Sequence, residues 1–470
     1  MTYDVVVVGG GPAGTAAAIE AGRRDARTLV LEAFPEPGGA GALAGGGICL
    51  VGTGAQRERG IEDGVELALA DWIRCGGEEA DAAWARRYLE GTPELDDWLR
   101  ALGIVWEGVE LDGDGNSAPR WHRPRGGGGE LVDRLVAATE EPAVDWSLGV
   151  RVTALTRDAR GAVVGVEADG RPIAAGAVVV ATGGFTGDPA RVREHGPDPG
   201  PGGRLLSGGA PQATGSGHRL LAGVGAAFAD LSRVWCYPNA IPDHEDPAGE
   251  RGIVVRGLTG EAWVNADGRR FHDESLRGGA TGTPALLAQR ASTCWAIVDR
   301  RGLAGATLGA PRFGVHPAPD RPRVAAFLAA SPYVHRAPTL EALAAAAGLP
   351  AAVLAETVAE LNGWIGSGLE RDPRFGRPLA GQSPIAEPPF AALRFFPLAR
   401  KSLGGVRTDL DCRVLDRAGA PIAGLYAAGE VAGMAGGQIN GRAALEGTML
   451  GPSVFSGRVA GRAAADRCIV

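Results

Sequence analysis

The chain has no run of about 18 consecutive apolar residues, the minimum for a helix that crosses a bilayer, so no membrane span is expected. It also has no charged stretch ahead of an apolar one at its start. MTYDVVVVGGG leads almost directly into a strand, which predicts no signal peptide and a cytoplasmic location. Cysteine is sparse and scattered, at Cys49, Cys75, Cys236, Cys294, Cys412 and Cys468. Without a C-x-x-C or C-x-x-C-H pair there is no signature for zinc, iron–sulfur or c-type haem, so no metal site is expected and reduced thiols are. No basic run exists to track a phosphate backbone, and the net charge is -8, which argues against nucleic acid as a partner. Lysine is almost missing while Ala and Arg abound, a bias consistent with a GC-rich genome and without mechanistic weight. Internal repeats and low-complexity linkers are also lacking.

Glycine, by contrast, is abundant, at 75 of 470 residues, more than double the usual share of about 7%. It follows no G-X-Y period, so collagen is excluded. It clusters between apolar runs, as a protein with many tight strand-to-helix crossings requires.

Residues 3–32 read as strand, glycine turn, helix and strand. Val5 to Val8 are β-branched without interruption, which predicts a parallel strand buried on both faces. An alanine-rich helix is predicted over 12–24 and a strand over 28–31. A Gly/Ala loop is predicted over 34–55, and helices over 62–75, 80–90 and 93–102. Three short strands are expected within 150–181, with Asp169-Gly170 as the hairpin turn. Around 339–365 the pattern predicts a helical pair, with Thr339 as N-cap and Pro350 at N1. Strand-and-turn texture returns after Gly404, and a last helix is predicted over 448–465.

Gly9, Gly11 and Gly14 match G-x-G-x-x-G in the segment Gly9-Gly10-Gly11-Pro12-Ala13-Gly14. The three glycines serve the tight turn, the approach of backbone to a pyrophosphate, and close helix–strand packing. The helix start around Pro12 and Ala13 presents free N–H groups and a dipole to the phosphates. Glu32, eighteen residues after Gly14, stands where an acid accepts hydrogen bonds from ribose hydroxyls. An acid there indicates FAD or NAD rather than NADP.

A second dinucleotide-type segment, GLYAAGEVAG (424–433), lies near the other end of the chain. Together with GGAGALAGGGI (38–48), VVVATGGF (178–185), ATGSGHRLLAGVGA (213–226), WVNADGRRFHDE (263–274), LGGVRTD (403–409) and GTMLGPSVFSGRVAG (447–461), it resembles the fumarate reductase and succinate dehydrogenase flavoproteins. Relatives of that family are the 3-ketosteroid and tricarballylate-type dehydrogenases. The resemblance covers nearly the whole chain and appoints FAD rather than NAD. It implies an α/β fold: a Rossmann-like FAD-binding domain (1–232 and 402–470) with an inserted α+β substrate cap (233–401). It places Gly39, Gly46 and Gly47 beside the ribityl and isoalloxazine parts of FAD, Gly183 where a strand end passes the cofactor, and Glu430 on the ribityl chain. Gly447 and Leu450 head the last helix, aimed at the flavin N1/O2 edge. Succinate dehydrogenases bond the flavin through a His in the segment matching 38–48. None occurs there in this chain, so non-covalent FAD is expected.

The family adds or removes hydrogen across a carbon–carbon bond beside a carbonyl or carboxylate. The implied partners are an activated alkene or its saturated form, and an electron donor or acceptor of unknown kind. In fumarate reductases an Arg just after the segment matching 265–274 carries the proton. Arg277 is the nearest match, one residue short in spacing. A substrate-binding His is replaced by Lys401, able to hold a carboxylate as a point charge or to act as an acid. Arg442 best matches a further carboxylate-binding Arg. Ketosteroid dehydrogenases rely on tyrosines instead, and Tyr237 is the one here that opens the insertion. The chain contains the full catalytic set of neither group. A ketosteroid-like dehydrogenase with relocated catalytic groups and a flavin-binding electron carrier therefore stay open as alternatives.

Overall fold

The computed structural model describes residues 2–111, 115–142, 144–315 and 318–468. The chain divides into two compact units: Met1–Arg191 with Gly209–Trp235 and Lys401–Val470, and Val192–Gly208 with Cys236–Arg400.

The first unit is built on a mainly parallel sheet. Strand β1 (Thr2–Val8) is followed by helix α1 (Pro12–Gly22) and strand β2 (Thr28–Glu32). β1 pairs in parallel with β2 on one side and with the strand Arg171–Val180 on the other. The sheet continues outward to Asp145–Leu148 beyond β2, and to Pro421–Ala427 beyond Arg171–Val180. Val5, Val6 and Val7 are fully buried, as a strand covered on both faces must be. Chain order reverses at β1, and in such sheets ligands bind outside the carboxyl ends of the strands at that point. The three expected strands, Val152–Arg157, Val163–Ala168 and Arg171–Val180, pair antiparallel in sequence, with the expected hairpin between the second and third. Asp169 and Gly170 take φ of 47° and 72°, the left-handed pair that a tight hairpin turn needs.

Three local expectations are revised. The stretches predicted over 80–90 and 93–102 are one helix, Ala82–Ala101, with Pro93 inside it. Asp81 caps its start, and the buried face of Trp84, Tyr88, Leu95 and Leu99 runs through the proline without a break. The 34–55 segment is not wholly loop, since it holds short helices Gly39–Ala42 and Gly54–Glu58. Pro350 is the N-cap of Ala351–Gly366 rather than its first residue. A buried ionic group, Arg120 with Asp63 and Asp71, braces this unit. Burial by itself would raise the Asp71 carboxyl, but hydrogen bonds from Ser117 and Arg120 outweigh it and bring the group to about 2.

In the second unit Cys294–Val298 and Val334–Ala337 both pair antiparallel with the strand Phe390–Ser402. Its core holds edge-on pairs, Trp263 with Phe395 and Phe313 with Phe327. The segment 192–208, placed by the sequence reading in the first part of the chain, clusters here. Leu206–Ser207 pairs in parallel with Leu398–Ala399, and that added edge draws the segment across. The helix Leu340–Ala347 starts at Thr339, whose hydroxyl accepts from Ala342 N at 3.2 Å. Among the described residues no helix is long and apolar enough to cross a membrane.

Candidate functional site

At the end of β1, Gly9 has φ of +106°, and a Cβ there would lie 2.6 Å from the Ala181 carbonyl oxygen. A Cβ on Gly14 would lie 1.9 Å from Gly9 O. Both glycines are therefore demanded by the fold itself. Gly11 differs: the nearest atom to a Cβ built there is Gly38 O at 4.0 Å, so the space beside it is open. Gly11 is the N-cap of α1, and no side chain caps the helix. Pro12, at the first position, has no N–H, so the donors left for a ligand in the first turn begin at Ala13, which suits a pyrophosphate.

Glu32, at the end of β2, is buried. Its carboxylate accepts from Gly10 N at 2.7 Å and Phe34 N at 2.9 Å. An ionised carboxylate has about four acceptor positions, so two remain for ribose hydroxyls. The glycines of 38–48 divide by cause. Gly39 has nothing within 4 Å of a built Cβ, whereas Gly46 is crowded by Gly127 and Gly47 by the Trp121 ring, 1.8 Å away. The chain's own packing explains the last two. Gly39 alone of the three fronts open space.

Where the strand Arg171–Val180 runs out, Gly183 has φ of +73° and again open space beside it. Its neighbour Gly184 has none, because a Cβ would sit 2.2 Å from Glu430 Oε1 and 2.5 Å from Ser402 Oγ. Glu430 is positioned by Ser402, whose N–H and hydroxyl donate to Oε1 at 2.8 and 3.1 Å. Ser402 was missed in the sequence because the resembling segment begins one residue later, at Leu403. The Gly447 carbonyl accepts from Cys49 N–H at 3.0 Å, and Leu450 opens the last helix, Leu450–Cys468. That helix lies directly on α1, since a Cβ on Gly457 would be 2.1 Å from Ala13 O and one on Gly461 2.2 Å from Ala17 O. Gly429 abuts the Ala13 methyl in the same way. The two ends of the chain thus meet around the first turn of α1, within one unit. The open positions at Gly11, Gly39 and Gly183, the uncapped helix and the part-occupied carboxylate fit a dinucleotide.

The four residues singled out for substrate chemistry fall on both units. Lys401 and Arg442 belong to the first. Lys401 is half-buried, and Arg442 is exposed, with Nε 3.4 Å from the Cys75 carbonyl oxygen. Tyr237 and Arg277 belong to the second. The half-buried Tyr237 ring lies under the Arg256 guanidinium at 5.9 Å. Arg277 pairs with Glu261 Oε1 at 2.8 Å and donates to Glu274 O at 3.1 Å. Burial pushes the Glu261 carboxyl up, and Arg277 offsets part of that rise. Glu261 Oε2 is buried and has no hydrogen-bond partner among the described residues. Nothing in the sequence marked Glu261, because it lies outside every recurrent segment. Glu274 instead is held among Arg270 and Arg377 in the core, with Arg270 also bound to Asp372 at 3.0 Å.

Residues 4–450 match the family described as the FAD binding domain. A KsdD-like steroid dehydrogenase of Mycobacterium tuberculosis is 33% identical, over 99% of this chain and 96% of that protein. A fumarate reductase (cytochrome) of Shewanella frigidimarina is 30% identical, over 99% of this chain and 77% of its own length. Among solved structures, 3-ketosteroid-Δ4-(5α)-dehydrogenase from Rhodococcus jostii RHA1, in complex with 4-androstene-3,17-dione, superposes with a TM-score of 0.75 at 30% identity, covering 99% of this chain and 97% of that one. With a glycine turn opening α1 at one end, a second glycine-rich segment folded onto it from the other, and a family match over residues 4–450, the chain belongs to the FAD binding domain family and is an FAD-dependent oxidoreductase.

Proposed function

We propose that the protein reduces or introduces a carbon–carbon double bond beside a carbonyl or carboxylate. FAD supplies the hydride-accepting or hydride-donating centre. The first N–H groups of α1 would hold the pyrophosphate and Glu32 the ribose. Ser402 fixes Glu430, which would hold the ribityl chain, and the dipole at the N-terminus of the last helix would favour negative charge on the reduced flavin. Lys401 and Arg442 on the first unit, with Arg277 and Tyr237 on the second, are the groups assigned to bind the activating group or to hold the proton. In this reading the first unit is the cofactor-binding part and the second carries the substrate cap. Glu261, buried against Arg277 with one oxygen unpartnered, keeps that guanidinium oriented.

What supports the reading is the likeness to both a fumarate reductase and a 3-ketosteroid dehydrogenase in complex with 4-androstene-3,17-dione; fumarate and that dione each carry an alkene next to a carbonyl or carboxylate. The identity with the steroid dehydrogenases favours a second, narrower reading, a ketosteroid-like activity in which Tyr237 polarises the ketone. The test is anaerobic photoreduction of the purified protein followed by addition of fumarate, 4-androstene-3,17-dione and other activated alkenes. At least one should reoxidise the flavin. Bleaching by dithionite with no response to any alkene or saturated counterpart would leave only an electron carrier.

A further inference from the structure

The strand Asp145–Leu148 closes one edge of the parallel sheet beside β2, in the register Val30 with Trp146, Leu31 with Ser147 and Glu32 with Leu148. Paired residues of neighbouring strands stand on the same face, and alternate residues of one strand share a face. Val30, Glu32, Trp146 and Leu148 therefore stand on one side of the sheet, with Glu32 and Leu148 at the carboxyl ends of their strands. That is the end at which a sheet of this kind takes its ligand.

The Trp146 ring is held there from two sides. Its Nε1 donates to Thr139 Oγ1 at 3.0 Å, and that hydroxyl donates to Val136 O at 2.6 Å. Its far edge lies on the glycine turn. A Cβ at Gly10 would be 2.7 Å from Cζ3 and 3.3 Å from Cη2 of the ring, and 3.4 Å from Glu32 Cβ. Gly10 N donates in turn to Glu32 Oε2 at 2.7 Å. The indole, the turn and the buried carboxylate thus meet through direct contacts. The ring is only half-buried, and Leu148, on the same face, is 43% exposed. One exposed leucine on a surface is ordinary. This one stands beside a fixed indole, and the two offer apolar surface alongside the acceptor positions that Glu32 has to spare.

An adenine base has flat faces that stack on aromatic and apolar side chains. We propose that Trp146 and Leu148 form the shelf on which the adenine of FAD rests, so that the adenylate half is gripped by itself and ADP is a ligand of the FAD-depleted protein. A ring already held in place loses little side-chain freedom when the base arrives. This rests on the FAD-binding reading given above.

Calorimetric titration of the FAD-depleted, full-length protein tests it. ADP should bind, and FAD should displace it. Leu148→Gln should weaken ADP and FAD by the same factor, ~5-fold or more, because the shelf meets only the half that the two ligands share. Leu148→Phe, which keeps the surface apolar, should retain both affinities. The exposure of Leu148 lets both variants fold, and an unchanged melting temperature without ligand checks that. Unchanged ADP affinity in Leu148→Gln, or a loss for FAD with none for ADP, would overturn the shelf. So would a wild-type protein that binds FAD and not ADP. If the wild type binds neither ligand, the cofactor reading itself has failed, and the shelf falls with it.

Discussion

Glu32 shows how much one side chain can be asked to do. Its carboxylate stitches Gly10 and Phe34 into place by their N–H groups and still has acceptor capacity to spare. Glu32→Ala should therefore fail twice: it abandons two backbone donors, at about 1–3 kcal/mol for each one left buried and unpaired, and it removes the proposed ribose acceptor. The expected outcome is a protein isolated with a lower ratio of flavin to protein absorbance and a lower melting temperature. Full occupancy in the variant would show that the ribose is held by something else. At this scale the sequence was legible where role and position coincide, as for the turn at Gly9 and the close helix–strand packing at Gly14. It was silent on Ser402 and Glu261, whose importance lies in which partner they touch. The glycines at 46 and 47 looked like cofactor contacts, yet Gly127 and Trp121 already explain them.

At the level of elements, the contact between α1 and the last helix is the feature most exposed to disruption. Gly457 and Gly461 let the two backbones approach to a distance that no side chain fits. Gly457→Val must displace a backbone carbonyl rather than a flexible side chain, so the helix has to move. We expect destabilisation on the order of 1–3 kcal/mol from overpacking, with loss of bound FAD, because the helix starts on both sides shift together. Gly223→Ala is the contrast. A Cβ there meets nothing within 4 Å, and removing glycine's freedom from the unfolded chain should raise stability by about 0.4–1 kcal/mol. Urea unfolding of both variants checks the pair, and equal effects would refute the steric account. The helix Ala82–Ala101 gives the matching lesson about reading elements. Pro93 looked like a boundary because it lacks an N–H, but a continuous buried face overrides that local preference.

For the whole molecule, cofactor binding is coupled to stability. Ligand that binds only the folded state adds about 2.7 kcal/mol at a concentration of 100 times its Kd. Titrating FAD into the depleted protein should therefore raise the melting temperature with the logarithm of its concentration. With no His between residues 38 and 48, acid or urea denaturation should release all of the flavin to the supernatant. Colour remaining on the precipitate would contradict non-covalent binding.

The sequence by itself determined the kind of molecule this is. A buried strand, a glycine turn, a helix and a terminal acid interact within some thirty residues, so their chemistry is written in their spacing. The alternation of dinucleotide-type and mixed segments likewise announced a cofactor fold interrupted by an insertion. Only the tertiary structure decided which side chains meet. The seating of Gly457 on Ala13, the grip of Ser402 on Glu430, the pairing of Glu261 with Arg277 and the passage of 192–208 into the second unit all join residues through space. Such contacts depend on how sheets and helices pack, and residue order alone does not specify that packing.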